Sequence, residues 1–146
     1  MTTQDMLDNE VRQIYLLRRH ALKVLDRELC AHGLGHGTYK YLYALFVEDR
    51  RSQQALADRV GDDKAAATRA LARLEKLGFI HREPDTEDRR MILVSLTPSG
   101  EALRPEIVAA VGEACQAMTA TLEPDEAALF RRLLAKAVAG VEVSAN

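Results

Sequence analysis

Aromatic side chains and cysteine are scarce in this chain of 146 residues. Only 5% of it is aromatic, with no Trp, three Phe and four Tyr. A stacking platform for single-stranded nucleic acid, which needs a row of exposed rings, is therefore not expected. The two cysteines, Cys30 and Cys115, lie too far apart to suggest a disulfide framework, and no secretory apolar segment precedes Val11. A reducing cytoplasmic compartment follows from both observations. No apolar run approaches the roughly 20 residues of a membrane span. Neither sign of charge dominates, with 20 Lys and Arg against 22 Asp and Glu for a net charge of −2. The chain also lacks a Walker motif, a zinc-protease helix, a nucleophile elbow and a Rossmann glycine pattern, so neither an enzyme nor a cofactor is expected. What is present, 47% hydrophobic and 29% charged residues, is the composition of one soluble domain spanning residues 1–146.

The informative stretch runs from Ser52 to Thr97. Its periodicity and turn formers predict helix, tight turn, helix, strand, charged hairpin tip and strand, which is a winged helix-turn-helix. Asp63 is placed to cap the second helix and Gly78 to end it. At roughly 100° per residue, Ala67, Ala70, Leu71, Leu74 and Leu77 share one face, and Ala65, Thr68, Arg69, Ala72, Arg73 and Lys76 share the other. Small side chains let a helix backbone approach a surface. The long cations beside them, with Lys64 at the helix start, reach phosphates or guanine edges, as entry into a major groove requires. An amphipathic helix with a solvated basic face has the same pattern, so the helix alone does not decide the function.

Phe79 to Arg82 and Met91 to Leu96 are β-favouring runs, joined by a tip rich in turn formers. Asp88 and Arg90 are two residues apart, so in an extended segment they share a face and the carboxylate holds the guanidinium in a fixed direction. An arginine so held, with Arg89 beside it, suits the negative potential of a minor groove. Between Ser52 and Arg90 eight bases (Arg59, Lys64, Arg69, Arg73, Lys76, Arg82, Arg89, Arg90) meet eight acids (Asp58, Asp62, Asp63, Glu75, Glu83, Asp85, Glu87, Asp88). A nucleic-acid surface here requires the cations to be segregated from the acids, and non-specific affinity should be modest.

The run DKAAATRALARLEKLGFIHR, followed by DRR and then LTPSG, resembles the MarR family of bacterial transcriptional regulators, and the likeness extends over nearly the whole chain. The resemblance implies a mainly α fold with a small β-hairpin wing. It also implies a homodimeric repressor or activator that binds a palindromic operator in double-stranded DNA and responds to a small molecule or an oxidant. By matched position, Arg69 and its neighbours Lys64, Ala65, Thr68, Arg73 and Lys76 become the major-groove readers. Arg90, supported by Asp88 and flanked by Arg89, becomes the minor-groove arginine. Asp62 departs from the family in a turn position that is usually apolar, and the wing is more acidic than in many members. Effectors of the family bind in the crevice between the dimer helices and the winged region, where His20, His36, Tyr39 and Tyr43 offer polar contacts to an aromatic acid. Some members sense peroxide through a first-helix cysteine, which makes Cys30 the redox alternative. A winged helix used for protein contact is the other.

The flanks read as helices. From about Asp5 to Cys30, Leu7, Val11, Ile14, Leu17, Ala21, Leu25 and Leu29 form one long amphipathic stripe. The glycine-rich loop after it holds His32 and His36. A metal site on Glu28, Cys30, His32 and His36 is not expected, because Gly33, Gly35 and Gly37 oppose the helix that would align the ligands. Thr38 to Glu48 is the next helix, with Tyr39, Leu42, Leu45 and Phe46 inward, and a charged turn leads to Ser52 as the following cap. Thr97 and Pro98 open a helix with Leu103, Ile107, Val111, Ala114 or Cys115, and Met118 on its stripe, kinked or broken near Pro105. Pro124 opens the last helix, striped by Leu129, Leu133, Ala137 and Val141. The organisation expected is a helical dimerisation region, residues 5–31 and 101–146, around a DNA-binding region, residues 36–100.

Overall fold

The computed structural model describes residues 1–144; residues 145 and 146, the end of the expected dimerisation region, lie outside the described residues. The elements in order are α1 (Thr3–Leu7), α2 (Glu10–Leu29), a single 3-10 turn at Cys30–His32, α3 (His36–Val47), β1 (Arg51–Ser52), α4 (Gln53–Val60), α5 (Lys64–Lys76), β2 (Ile80–Pro84), β3 (Ile92–Leu96), α6 (Pro98–Ala102), α7 (Arg104–Met118) and α8 (Pro124–Ser144). The fold is mainly helical with a three-stranded antiparallel sheet of order β1-β3-β2.

The long first helix expected from Asp5 is in fact two. Asn9 caps α2 by accepting from the Arg12 amide while its own side-chain amide donates to the Met6 carbonyl, so the chain turns there instead of continuing. The helix placed from Thr38 begins earlier, at His36, despite Gly37 in its first turn. Asp26 on α2 accepts the His36 amide at 2.9 Å, and Thr38 accepts the Gly35 amide, so two first-turn donors are satisfied. The break near Pro105 falls at Leu103, between α6 and α7. Thr97 caps α6 with Pro98 in its first turn, as the sequence indicated.

The charged turn before Ser52 holds an unforeseen strand. Arg51 and Ser52 pair with Val94 and Leu93, and Asp49 accepts the Leu96 amide at 3.0 Å. β2 and β3 form the hairpin from Ile80↔Leu96 to Pro84↔Ile92. Proline is tolerated in β2 because that strand lies at the sheet edge.

The core is made by α3, α4, α5, β3 and α7 around Tyr41, Leu42, Leu45, Leu56, Leu71, Leu74, Val94 and Ile107, all essentially inaccessible. Each such leucine contributes about 1.5–3 kcal/mol relative to exposure. On α3 the inward aromatic is Tyr41, while Tyr39 and Phe46 are half-buried. On α7, Ala110 and Ala114 complete the buried stripe and Cys115 is exposed. The long stripes are only partly covered within one protomer. Leu25 and Leu29 are buried but Leu7, Val11 and Ile14 are exposed, as are Leu129, Leu133, Val138 and Val141 of α8.

Candidate nucleic-acid interface

α5 is built from local signals. The Asp63 carboxylate accepts the Ala66 amide at 2.7 Å, and Gly61 and Gly78, with φ of +78° and +83°, let the chain enter and leave the helix. Ala67, Ala70, Leu71 and Leu74 are buried, which turns Lys64, Ala65, Thr68, Arg69, Ala72, Arg73 and Lys76 to solvent. Thr68 is held in one orientation: its hydroxyl donates to the Lys64 carbonyl at 2.8 Å and accepts from Gln53 Nε2 at 3.1 Å. Gln53, on α4, is an addition that no periodicity in the sequence marks.

The wing is tied to α5 and shaped by its own acids. Arg82 donates to Glu75 through its backbone amide and guanidinium, at 3.1 and 3.0 Å. Asp85 accepts the amides of Glu87 and Asp88, and the Met91 amide closes onto the Asp88 carbonyl at 2.9 Å. Arg90 grips Asp88 at two points, Nε to Oδ1 at 3.0 Å and Nη2 to Oδ2 at 3.2 Å. That hydrogen bonding holds the Asp88 carboxyl below its ordinary range and raises the Arg90 guanidinium. Arg89 is exposed at the same tip.

Asp62, Glu75, Asp85 and Asp88 are half-buried, held by α3, Arg82, the turn and Arg90 respectively. Of the eight bases between Ser52 and Arg90 all but Arg82 are exposed, against four of the eight acids, Asp58, Asp63, Glu83 and Glu87, so the exposed surface is more cationic than the composition of the stretch. A concavity of about 180 Å³ is lined by Gln53 and Gln54 of α4, Lys64 of α5, and Arg90 and Met91 of the wing. Helix start and wing arginine therefore border one hollow.

The four residues assigned to an effector do not share one site within the protomer. His20 borders a cleft between α2 and α7 with Arg27 and Glu113. Tyr39 lines an apolar cavity of about 260 Å³ with Leu17, Leu25, Phe130 and Leu134, where burial raises its phenol. Tyr43 is exposed on α3. His36, hydrogen-bonded to Asp26, lies in a wider cleft of about 460 Å³ with Arg18, Lys40, Asp62, Arg69 and Arg73. Arg73 leans into the same region and donates to the Gly33 carbonyl at 3.5 Å. Arg18 and Lys40 escaped the sequence reading, since nothing in their spacing relates them to α5. His32 pairs with Glu106 and not with His36. Cys30 is exposed at the end of α2, its thiol directed to the Arg27 carbonyl.

No described helix is long and apolar enough to cross a membrane. A model of the MarR family matches residues 35–92. The HTH-type transcriptional repressor YetL of Bacillus subtilis is 30% identical over 113 residues, covering 76% of this chain and 68% of that protein. The multiple antibiotic resistance protein MarR of Salmonella typhimurium is 29% identical over 139 residues, covering 92% of this chain and 96% of that protein. Among solved structures, a mutant MarR from E. coli complexed with operator DNA matches with a TM-score of 0.81 at 26% identity, over 94% of this chain and 99% of that one. With a capped, basic-faced α5, an arginine-tipped wing and this likeness along its length, the chain belongs to the MarR family of helix-turn-helix transcriptional regulators.

Proposed function

We propose that the protein is a cytoplasmic homodimer that represses transcription by binding a palindromic operator in double-stranded DNA. α5 enters the major groove with Arg69, Arg73 and Lys76, and the β2–β3 wing sets Arg90 against the adjacent minor groove. The observation that carries this reading is the shared hollow between Lys64 and Arg90, which lets one duplex meet helix and wing together. That a similar E. coli protein is complexed with operator DNA supports DNA as the partner. Dimerisation is supported by the uncovered apolar stripes of α2 and α8. Two copies of α5 must then sit about 34 Å apart, one duplex turn.

The test is selection from a random-sequence duplex pool by the purified protein, followed by titration of the selected duplex against salt. An inverted repeat should emerge, and log affinity should fall linearly with log salt in proportion to the phosphates contacted. Recovery of unrelated sequences, or affinity indifferent to salt, overturns the reading and favours a protein partner.

The cleft around His36 favours a small anionic effector as the means of release. Arg69 and Arg73 belong to both the proposed DNA surface and this cleft, so an anion held there draws on cations that DNA requires. Titration with an aromatic carboxylate should release the duplex in parent protein and fail in Arg18→Ala. Equal release from both removes the cleft from the mechanism.

A further inference from the structure

We infer that Asp62 is a positioning residue that locks the turn between α4 and α5 onto α3 and so sets the tilt of the reading helix. The inference rests on α5 being the DNA-reading element. Asp62 is the one residue between Gly61, which ends α4, and Asp63, which caps α5. Both of its carboxylate oxygens are taken by consecutive residues of α3: Lys40 Nζ donates to Oδ1 at 2.6 Å and the Tyr41 hydroxyl donates to Oδ2 at 2.5 Å. The grip is largely enclosed, with 17% of the Asp62 side chain and 30% of the Lys40 side chain exposed and Tyr41 inaccessible. Burial pushes the Asp62 carboxyl up, but the hydrogen bonds from Lys40 and Tyr41 and the charges of Lys40 and Arg69 outweigh it and hold the group ionised.

A charged pair with a third partner and little exposure is directional, unlike an apolar contact, which tolerates sliding. α5 has 13 residues and is therefore about 20 Å long. A few degrees of tilt at its first residue moves its far end by about 1–2 Å, enough to break hydrogen bonds to base edges. Asp62 also adds a negative charge beside Arg69, and that alternative role makes the opposite prediction. A mere counter-charge, once removed, strengthens binding to every duplex alike. A lost lock weakens discrimination.

The experiment uses the full chain as Asp62→Ala, Asp62→Asn and Tyr41→Phe, with two readouts. Amide hydrogen exchange without DNA should speed up at least about tenfold over residues 66–70 in Asp62→Ala, while amides of α7 keep parental rates. The affinity ratio between the duplex selected by the parent and a scrambled one should fall about tenfold, as for a lost base contact. Asp62→Asn, which still offers Tyr41 an acceptor, and Tyr41→Phe, which keeps the Lys40 bond, should each fall between the parent and Asp62→Ala. Parental exchange over residues 66–70 in Asp62→Ala overturns the lock. So does an equal gain by Asp62→Ala and Asp62→Asn on both duplexes, which assigns the acid a counter-charge role only. A parent that does not discriminate between duplexes defeats the DNA reading of α5 instead, and the exchange measurement still judges the lock.

Discussion

Arg90 and Asp88 form a two-point contact at the tip of the wing although 90% of the arginine side chain is exposed. An exposed pair adds little to stability. Its consequence is directional, because a guanidinium held through Nε and one Nη has its remaining N–H groups aimed outward.

Arg90→Ala should therefore weaken binding to the selected duplex by roughly tenfold and leave the thermal midpoint within a degree or so of the parent. Fluorescence anisotropy and thermal melting of the same sample check both halves. A large fall in melting temperature would mean that the pair holds the hairpin together.

Arg69→Ala separates base reading from phosphate contact. If Arg69 reads a base edge, the loss is about 1–3 kcal/mol on the selected duplex and near zero on a scrambled one. A phosphate role predicts an equal loss on both and a shallower salt slope.

Arg82 joins the wing to α5 through Glu75, and its hydrogen bond holds the Glu75 carboxyl below the ordinary value against a smaller opposing effect of burial. A lowered folded pKa means that the ionised form is favoured by folding. The stability it contributes is complete above the unfolded value of about 4.3 and is lost as pH falls through the lower folded value. Glu75→Gln should thus be less stable than the parent near neutral pH, with the gap closing below about pH 4. Urea midpoints across a pH series would reveal a gap that fails to close.

At Gly100 a β-carbon would stand 2.0 Å from the Phe79 carbonyl oxygen. α6 lies that close because Thr97 bonds the Gly78 and Phe79 carbonyls, through its hydroxyl at 2.6 Å and its amide at 3.1 Å. Gly100→Ala should cost about 1–3 kcal/mol, seen as an earlier urea midpoint. No change would mean that α6 can move away freely.

Leu133 is 52% exposed on α8 in the protomer. Leu133→Asp should shift the protein to a single subunit in sedimentation and reduce duplex affinity with it, since a dimer interface would bury the new charge. Unchanged sedimentation would move the interface elsewhere.

The limits of α5, the cap and proline of α6, and the Asp88–Arg90 pair were all legible in the sequence. Each arises from groups within a few residues of one another, where helix and strand periods fix which side chains meet. The segmentation at Asn9 is local too, but the continuous apolar stripe around it reads as one helix. The Asp49 and Arg51 contacts to β3 were not legible, because a two-residue strand has no period. The residues expected to meet an effector were chosen by type and approximate region, and the fold places His20, His36 and Tyr39 in three separate clefts and Tyr43 outside them.

Sequence by itself determined the family, the winged helix-turn-helix and the basic face of α5, because hydrophobic period and capping chemistry act over one or two turns. Only the tertiary structure decided that Asp62 is held by Lys40 and Tyr41, and that Arg18 and His36 share a cleft with Arg69 and Arg73. Most of these partners lie some 20 to 50 positions apart, joined by packing of α2 on α3 and of α3 on α5, and no repeat in a linear chain records a meeting of that kind.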